Sequence, residues 1–150
     1  MRVPEIEIAV KYKTGIRNEV SRITNSAEMA TVVKSLFDVN QIDWVEEFIL
    51  LCLNQRNTVI GYYKVSKGCV TQTLVDIRVI ATVALNAAGC TKIVVAHNHP
   101  SGNCTPSSAD DAATRKIKDA MALLDITLLD HMIMTSDNGY YSYADMGRII

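Results

Sequence analysis

A chain of 150 residues has the usual length of one domain, and 49% hydrophobic with 21% charged residues is the composition of a soluble globular fold, which excludes disorder. A net charge of -1 excludes the broad positive field that drives phosphate-backbone binding, so nucleic acid would be reached only through a local patch or a partner. Cys52, Cys69, Cys90 and Cys104 lack CxxC spacing and read as reduced packing residues; the opening residues lack a signal peptide's apolar stretch, and no run approaches the ~20 residues of a membrane span, so the expected location is cytoplasmic.

Residues 5–12 alternate polar and apolar positions, as an edge or half-buried strand does, and the basic stretch 13–22 reads as a loop. Asn25 to Glu28 resembles a capping box, and Met29, Val32, Val33, Leu36 and Phe37 follow at helical spacing, predicting a helix to about Asp38. The apolar run 44–53, the turn 54–57 and the run 58–65 form a predicted hairpin. From Asp76 the stripe Ile77, Ile80, Ala81, Ala84, Leu85 and Ala88 predicts a helix that Gly89 ends. A strand over 92–96 runs into a break at Pro100, Ser101 and Gly102. Ser107 then opens a helix with the stripe Ala113, Ile117, Ala120, Met121 and Leu124, followed by a strand over 126–135 and a turn over 136–139. Alternating strands and helices give an α/β (α+β) class, with 1–40 as an N-terminal extension packing on a domain of 41–150.

His97 and His99 stand at the end of the 92–96 strand, where alternate side chains share one face about 6.6 Å apart, close enough to converge on one metal. By itself an HxH pair is more often chance spacing. Asp110, in Ser107-Ser108-Ala109-Asp110, first reads as a helix-start acid. It also stands three residues before Ala113 and so projects onto the stripe meant for the core, where an acid needs a partner; Asp111, about 100° further round, faces water as an N-terminal dipole residue. Two imidazoles and one carboxylate leave a fourth tetrahedral position open, the pattern of a catalytic zinc site. Amide hydrolysis also needs a base, and Glu46 and Glu47 are candidates sent to opposite faces by strand alternation, although two solvated acids at a strand start explain them equally well. His131 reads as a core histidine before a ligand, and Cys104 as a surface thiol in the site loop.

The run from His97 to Gly102, with Pro106, Ser107 and Asp110, resembles the JAMM metallopeptidase signature in the form found in bacterial RadC-like proteins: HxH, seven residues, then SxxD. Gly68, Leu129-Asp130-His131 and Tyr141-Ser142-Tyr143 are similar to that family as well. The resemblance implies an MPN/JAB-type mixed β-sheet flanked by helices, of cytidine-deaminase-like architecture, with zinc held by His97, His99 and Asp110. It further implies a glutamate acting as acid and base, matched by Glu46 two residues before Phe48 with Glu47 as the alternative, and Ser107 steadying an oxyanion. The helix-hairpin-helix module that RadC-like proteins often carry is not expected in the first 40 residues.

Two functions are therefore expected to compete. One is a zinc-dependent hydrolase of an amide or isopeptide bond, acting on a peptide or protein. The other is a non-catalytic or DNA-associated accessory module in a repair or recombination context, which the absent basic bias disfavours.

Overall fold

Seven consecutive buried residues, Glu47–Leu53, form strand β1, and a strand with no exposed face must be covered on both sides. The structure, a computed structural model, describes residues 3–13, 22–68 and 75–149. Among these, β1 pairs antiparallel with β2 (Val59–Lys67) on one side and with β3 (Lys92–Asn98) on the other. Strand β4 (Thr127–Met134) runs parallel to β3, and β5 (Tyr140–Ser142) closes the far edge antiparallel to β4. The order is β2-β1-β3-β4-β5.

Helix α1 (Ser26–Leu36) covers one face, packing Met29, Ala30 and Val33 with Ile49, Leu51, Val94 and Met132. Helices α2 (Ile77–Asn86) and α3 (Ser108–Ala122) cover the other, where Ile80, Ala84, Ile117 and Met121 pack with Leu50, Ile93 and Val95. The result is the mixed sheet flanked by helices expected of a JAB/MPN-type fold. Cys52, Cys90 and Cys104 are free thiols, while Cys69 and most of the loop expected over 13–22 lie outside the described residues. No helix among the described residues is long and apolar enough to cross a membrane.

Several expectations are corrected. Residues 5–12 form no strand and are exposed throughout, since alternation supplies a face but does not by itself make a ladder; Tyr12 lies with its ring against Gly61. Strand β1 begins at Glu47 rather than at 44, since residues 38–45 turn back on themselves through bonds such as Ile42 N–H to the Asp38 carbonyl, leaving Trp44 74% exposed. The carboxylate of Glu28 accepts from Thr24 rather than from the N-cap Asn25, so the reciprocal half of the expected box is shifted by one residue. Helix α3 ends at Ala122, which leaves Leu124 exposed, and Thr114 takes a buried place on its inner face. Leu85 of α2 is likewise 58% exposed.

Candidate metal centre

The register pairs His97 with Phe48 of β1 and Ile133 of β4, and alternation turns its ring to the same face as Ile93 and Val95, beneath α3. His99 lies one residue beyond β3, and its N–H donates to the Met134 carbonyl at 3.0 Å, which carries the ladder onward. Asp110 enters from the first turn of α3. Their ligand atoms gather: His97 Nε2 is 3.0 Å from His99 Nε2 and 3.1 Å from Asp110 Oδ1, and His99 Nε2 is 3.5 Å from Asp110 Oδ2. All three lie within 4.8 Å of one another.

Asp110 serves the helix cap and still turns a carboxylate oxygen toward the two histidines. Its Oδ2 accepts from the Ser107 N–H and the Ser107 hydroxyl, each at 2.7 Å, while Ser107 Oγ accepts from the Asp110 N–H at 3.2 Å. That reciprocal box commits one carboxylate oxygen and aims the other at His97. Nδ1 of His99 donates to the Asn103 carbonyl at 2.7 Å, because a carbonyl only accepts, so the neutral ring presents a bare Nε2 to the cluster. Acceptors facing acceptors across about 3 Å need a cation between them. The Asp110 carboxylate beside His99 holds that imidazole above its usual range, against burial. Burial would raise the Asp110 carboxyl, but the side chains of His97, His99 and Ser107 beside it bring it far below the usual range. A tetrahedral ion with bonds of 2.0–2.1 Å sets its ligands about 3.3 Å apart, so the donor set fits a divalent metal.

The two adjacent glutamates part at the edge of this cluster. Glu47 is buried on the α1 face and accepts from Lys64 Nζ at 3.1 Å. Glu46, one residue earlier, falls by alternation on the face of Phe48 and His97, is half-buried, and its charge acts on His99. Its carbonyl accepts from the Gly68 N–H at 3.0 Å, which anchors the chain there. His131 does not join the ligands; its Nε2 lies 2.9 Å from His97 Nδ1, on the side away from the cluster. Burial of the whole ring and the nearby His97 hold His131 well below the usual imidazole range. Cys104 is half-buried in the loop, outside the group of converging ligands. Asp111, expected to face water, accepts instead from the Tyr143 hydroxyl at 2.8 Å and from Arg148 at 2.5 Å. The Tyr143 ring in turn stacks on His131 at 5.0 Å between centroids.

Asn98, between the two histidines, is a residue whose importance the HxH pattern hides. Fully buried, it donates to the carbonyls of Ile42 and Val45 at 2.7 and 2.8 Å and accepts from the Glu47 N–H at 2.8 Å. It thus clamps the chain on both sides of Glu46. Thr114 is a second such residue, with its hydroxyl 2.6 Å from His131 Nδ1. A polar residue on the apolar stripe of α3 was the available signal for it.

The sheet order, its helical cover and the His-His-Asp cluster define a JAB-type domain with a candidate metal centre. A family profile described as the RadC-like JAB domain matches residues 23–148, and the chain belongs to that family. Similar proteins include a UPF0758 protein of Flavobacterium johnsoniae, 39% identical over 97% of this chain and 61% of its own length. Others are the UPF0758 proteins of a Polaromonas species, 43% identical over 69% of this chain and 46% of its own, and of Porphyromonas gingivalis, 39% identical over 69% and 45%. The chain thus spans about half the length of the curated relatives it matches, 61% of the first.

Proposed function

We propose that this domain is a zinc-dependent hydrolase of the JAMM metallopeptidase type, cleaving an amide or isopeptide bond in a peptide or protein. The observation that carries the reading is the convergence of His97 Nε2, His99 Nε2 and Asp110 Oδ1 at a half-buried site, with Glu46 on the same face. Two imidazoles and one carboxylate are a donor set that suits zinc and leaves a position for reactants. Zinc, when bound, supplies the Lewis acidity that makes a water acidic near neutral pH and polarises a carbonyl.

The chain's own groups supply the proton movements. Glu46 takes a proton from the attacking water as its oxygen adds to the scissile carbonyl carbon, and returns that proton to the amine nitrogen as the C–N bond breaks. The Ser107 hydroxyl has one proton, given to Asp110 Oδ2 in this geometry. Turning that proton outward lets it donate to the developing oxyanion, where a preorganised donor is worth several kcal/mol, about 3 in a well-measured case. The Ser107 N–H keeps Asp110 in place meanwhile.

Metal and turnover are tested separately. Purified protein is expected to bind about one zinc per chain, and the double variant His97→Ala with His99→Ala to bind none; equal metal content in the two ends the zinc reading. On a panel of peptide and isopeptide substrates, Glu46→Gln is expected to lower kcat by about 10²–10⁴-fold with zinc retained. Glu47→Gln, on the opposite face, keeps the wild-type rate. Equal rates for wild type and Glu46→Gln would remove Glu46 from the reaction.

A further inference from the structure

A metal-ligating histidine usually gives the N–H of its other nitrogen to a carboxylate, a carbonyl or a water, and this fixes the nitrogen that faces the metal. His99 follows the rule through the Asn103 carbonyl. His97 does not. Its Nδ1 faces the Nε2 of a second imidazole, His131, at 2.9 Å. A neutral imidazole can donate or accept at either nitrogen, so this contact alone leaves the direction of the bond undecided.

Thr114 decides it. Its hydroxyl lies 2.7 Å from the main-chain carbonyl of Asp110 and 2.6 Å from His131 Nδ1. The carbonyl oxygen has no proton, so the single hydroxyl proton lies between Thr114 and Asp110. The contact of 2.6 Å then needs its own proton, which only His131 Nδ1 can provide. With that nitrogen protonated, the neutral His131 ring has a bare Nε2, and the proton between the two rings belongs to His97 Nδ1. His97 Nε2 is left bare, facing His99 and Asp110. The opposite set of protons places a hydrogen on His97 Nε2, inside the cluster, where it blocks coordination.

We propose that His131, itself set by Thr114, is the positioning residue that locks His97 in the Nδ1–H tautomer and keeps its Nε2 available to a metal. The chain of hydrogen bonds starts at the Asp110 main-chain carbonyl and passes through Thr114 and His131 to His97, whose bare Nε2 faces the carboxylate of the same Asp110 at 3.1 Å. One residue thereby provides a ligand and sets the tautomer of another. Neighbouring rings keep His131 from turning: Tyr143 stacks on it with an interplanar angle of 10°, and Phe48 packs against it at 5.7 Å. This role deepens the metal-dependent reading and rests on it.

The test uses Thr114, which lies outside the ligand set. Zinc affinity is measured by competition with a chromophoric chelator for wild type, Thr114→Ser and Thr114→Val, with circular dichroism confirming the fold of each. Thr114→Ser, which keeps the hydroxyl, is expected to bind zinc within about twofold of wild type. Thr114→Val is expected to bind about 10–100-fold more weakly, as when an outer partner of a ligand is removed. His131→Gln, which can place an oxygen near the Nε2 position, is expected to retain more affinity than His131→Phe. Nitrogen–proton correlation spectra of the imidazoles in the metal-free chain provide a second, independent readout. His97 is expected as the Nδ1–H form in wild type, with the Nε2–H form appearing in Thr114→Val. A wild-type spectrum showing His97 as Nε2–H, or equal zinc affinity and an unchanged tautomer in Thr114→Val, overturns the relay. If the tautomer shifts as expected while wild type binds no zinc, the relay stands and the metal reading falls.

Discussion

Helices α2 and α3 lie on the same face of the sheet, and each starts at a polar cap with a carboxylate in or beside it, yet the two caps do different work. Asp76 caps α2 entirely with its neighbour: one oxygen accepts from the Arg78 N–H and Nε, and the other accepts from Nη2 at 2.8 Å. Both oxygens are used within two residues, by a half-buried carboxylate. At α3 the cap is divided between Ser107 and Asp110, three residues apart, and only one carboxylate oxygen is committed to it. The remaining oxygen is left for His97 at 3.1 Å. A capping acid can join a candidate metal site when a second residue shares the capping and the acid is turned toward a partner from another element.

The largest expected contrast is in metal affinity. Asp110→Ala is expected to weaken zinc binding by more than about a hundredfold, beyond the range for loss of an outer-shell partner, whereas Asp76→Ala leaves affinity unchanged in the same chelator competition. Comparable affinities in the two variants break the distinction. In stability the helices are expected to match, because Ile80 of α2 and Ile117 of α3 are both fully buried in one core. Each truncation to Ala is expected to cost about 2–5 kcal/mol in urea unfolding, and neither loss depends on metal. A smaller effect separates the caps again. Ser107→Ala is expected to lose about 1 kcal/mol as a missing N-cap and, because Asp110 Oδ2 loses a donor, about tenfold in zinc affinity as well.

The caps also show what could be read without coordinates. Ser107 to Asp110 was legible as a helix start, and the HxH-to-SxxD spacing marked the three candidate ligands through family resemblance; their convergence depends on β3 ending beneath the first turn of α3. The strands were legible wherever burial on both faces left an unbroken apolar run, as in β1 and β3. Residues 5–12 have a strand's pattern but form no strand, because alternation alone does not make a ladder. The short β5 was missed for the converse reason, since its pairing with β4, through Met132 with Ser142, and not its composition makes it a strand. Asn98 was silent because its partners lie far away in sequence, at Ile42 and Val45, and Thr114 showed only as a polar residue on an apolar stripe, with nothing local to point to His131. Glu46 and Glu47 were separable in principle by alternation, but which face carried the cluster depended on the sheet.

The smallest expected effect concerns the simpler cap. The side-chain bond from Arg78, with its N–H, holds the Asp76 carboxyl down to about 2 in the folded chain, against about 3.9 for an unfolded Asp. The folded value is the lower one, so the unfolded chain binds more protons in this window, and the stabilisation by Asp76 is complete above about pH 4. It declines as the pH falls toward the folded value near 2. Asn at this position still offers an oxygen to the Arg78 N–H but does not titrate. Unfolding free energies of wild type and Asp76→Asn should therefore differ by a constant amount at neutral pH and converge between about pH 4 and 2. A gap that stays constant through that window would mean that the charge of Asp76 does not contribute and that its cap is a neutral one, structurally closer to Ser107 than the ion pair with Arg78 indicates.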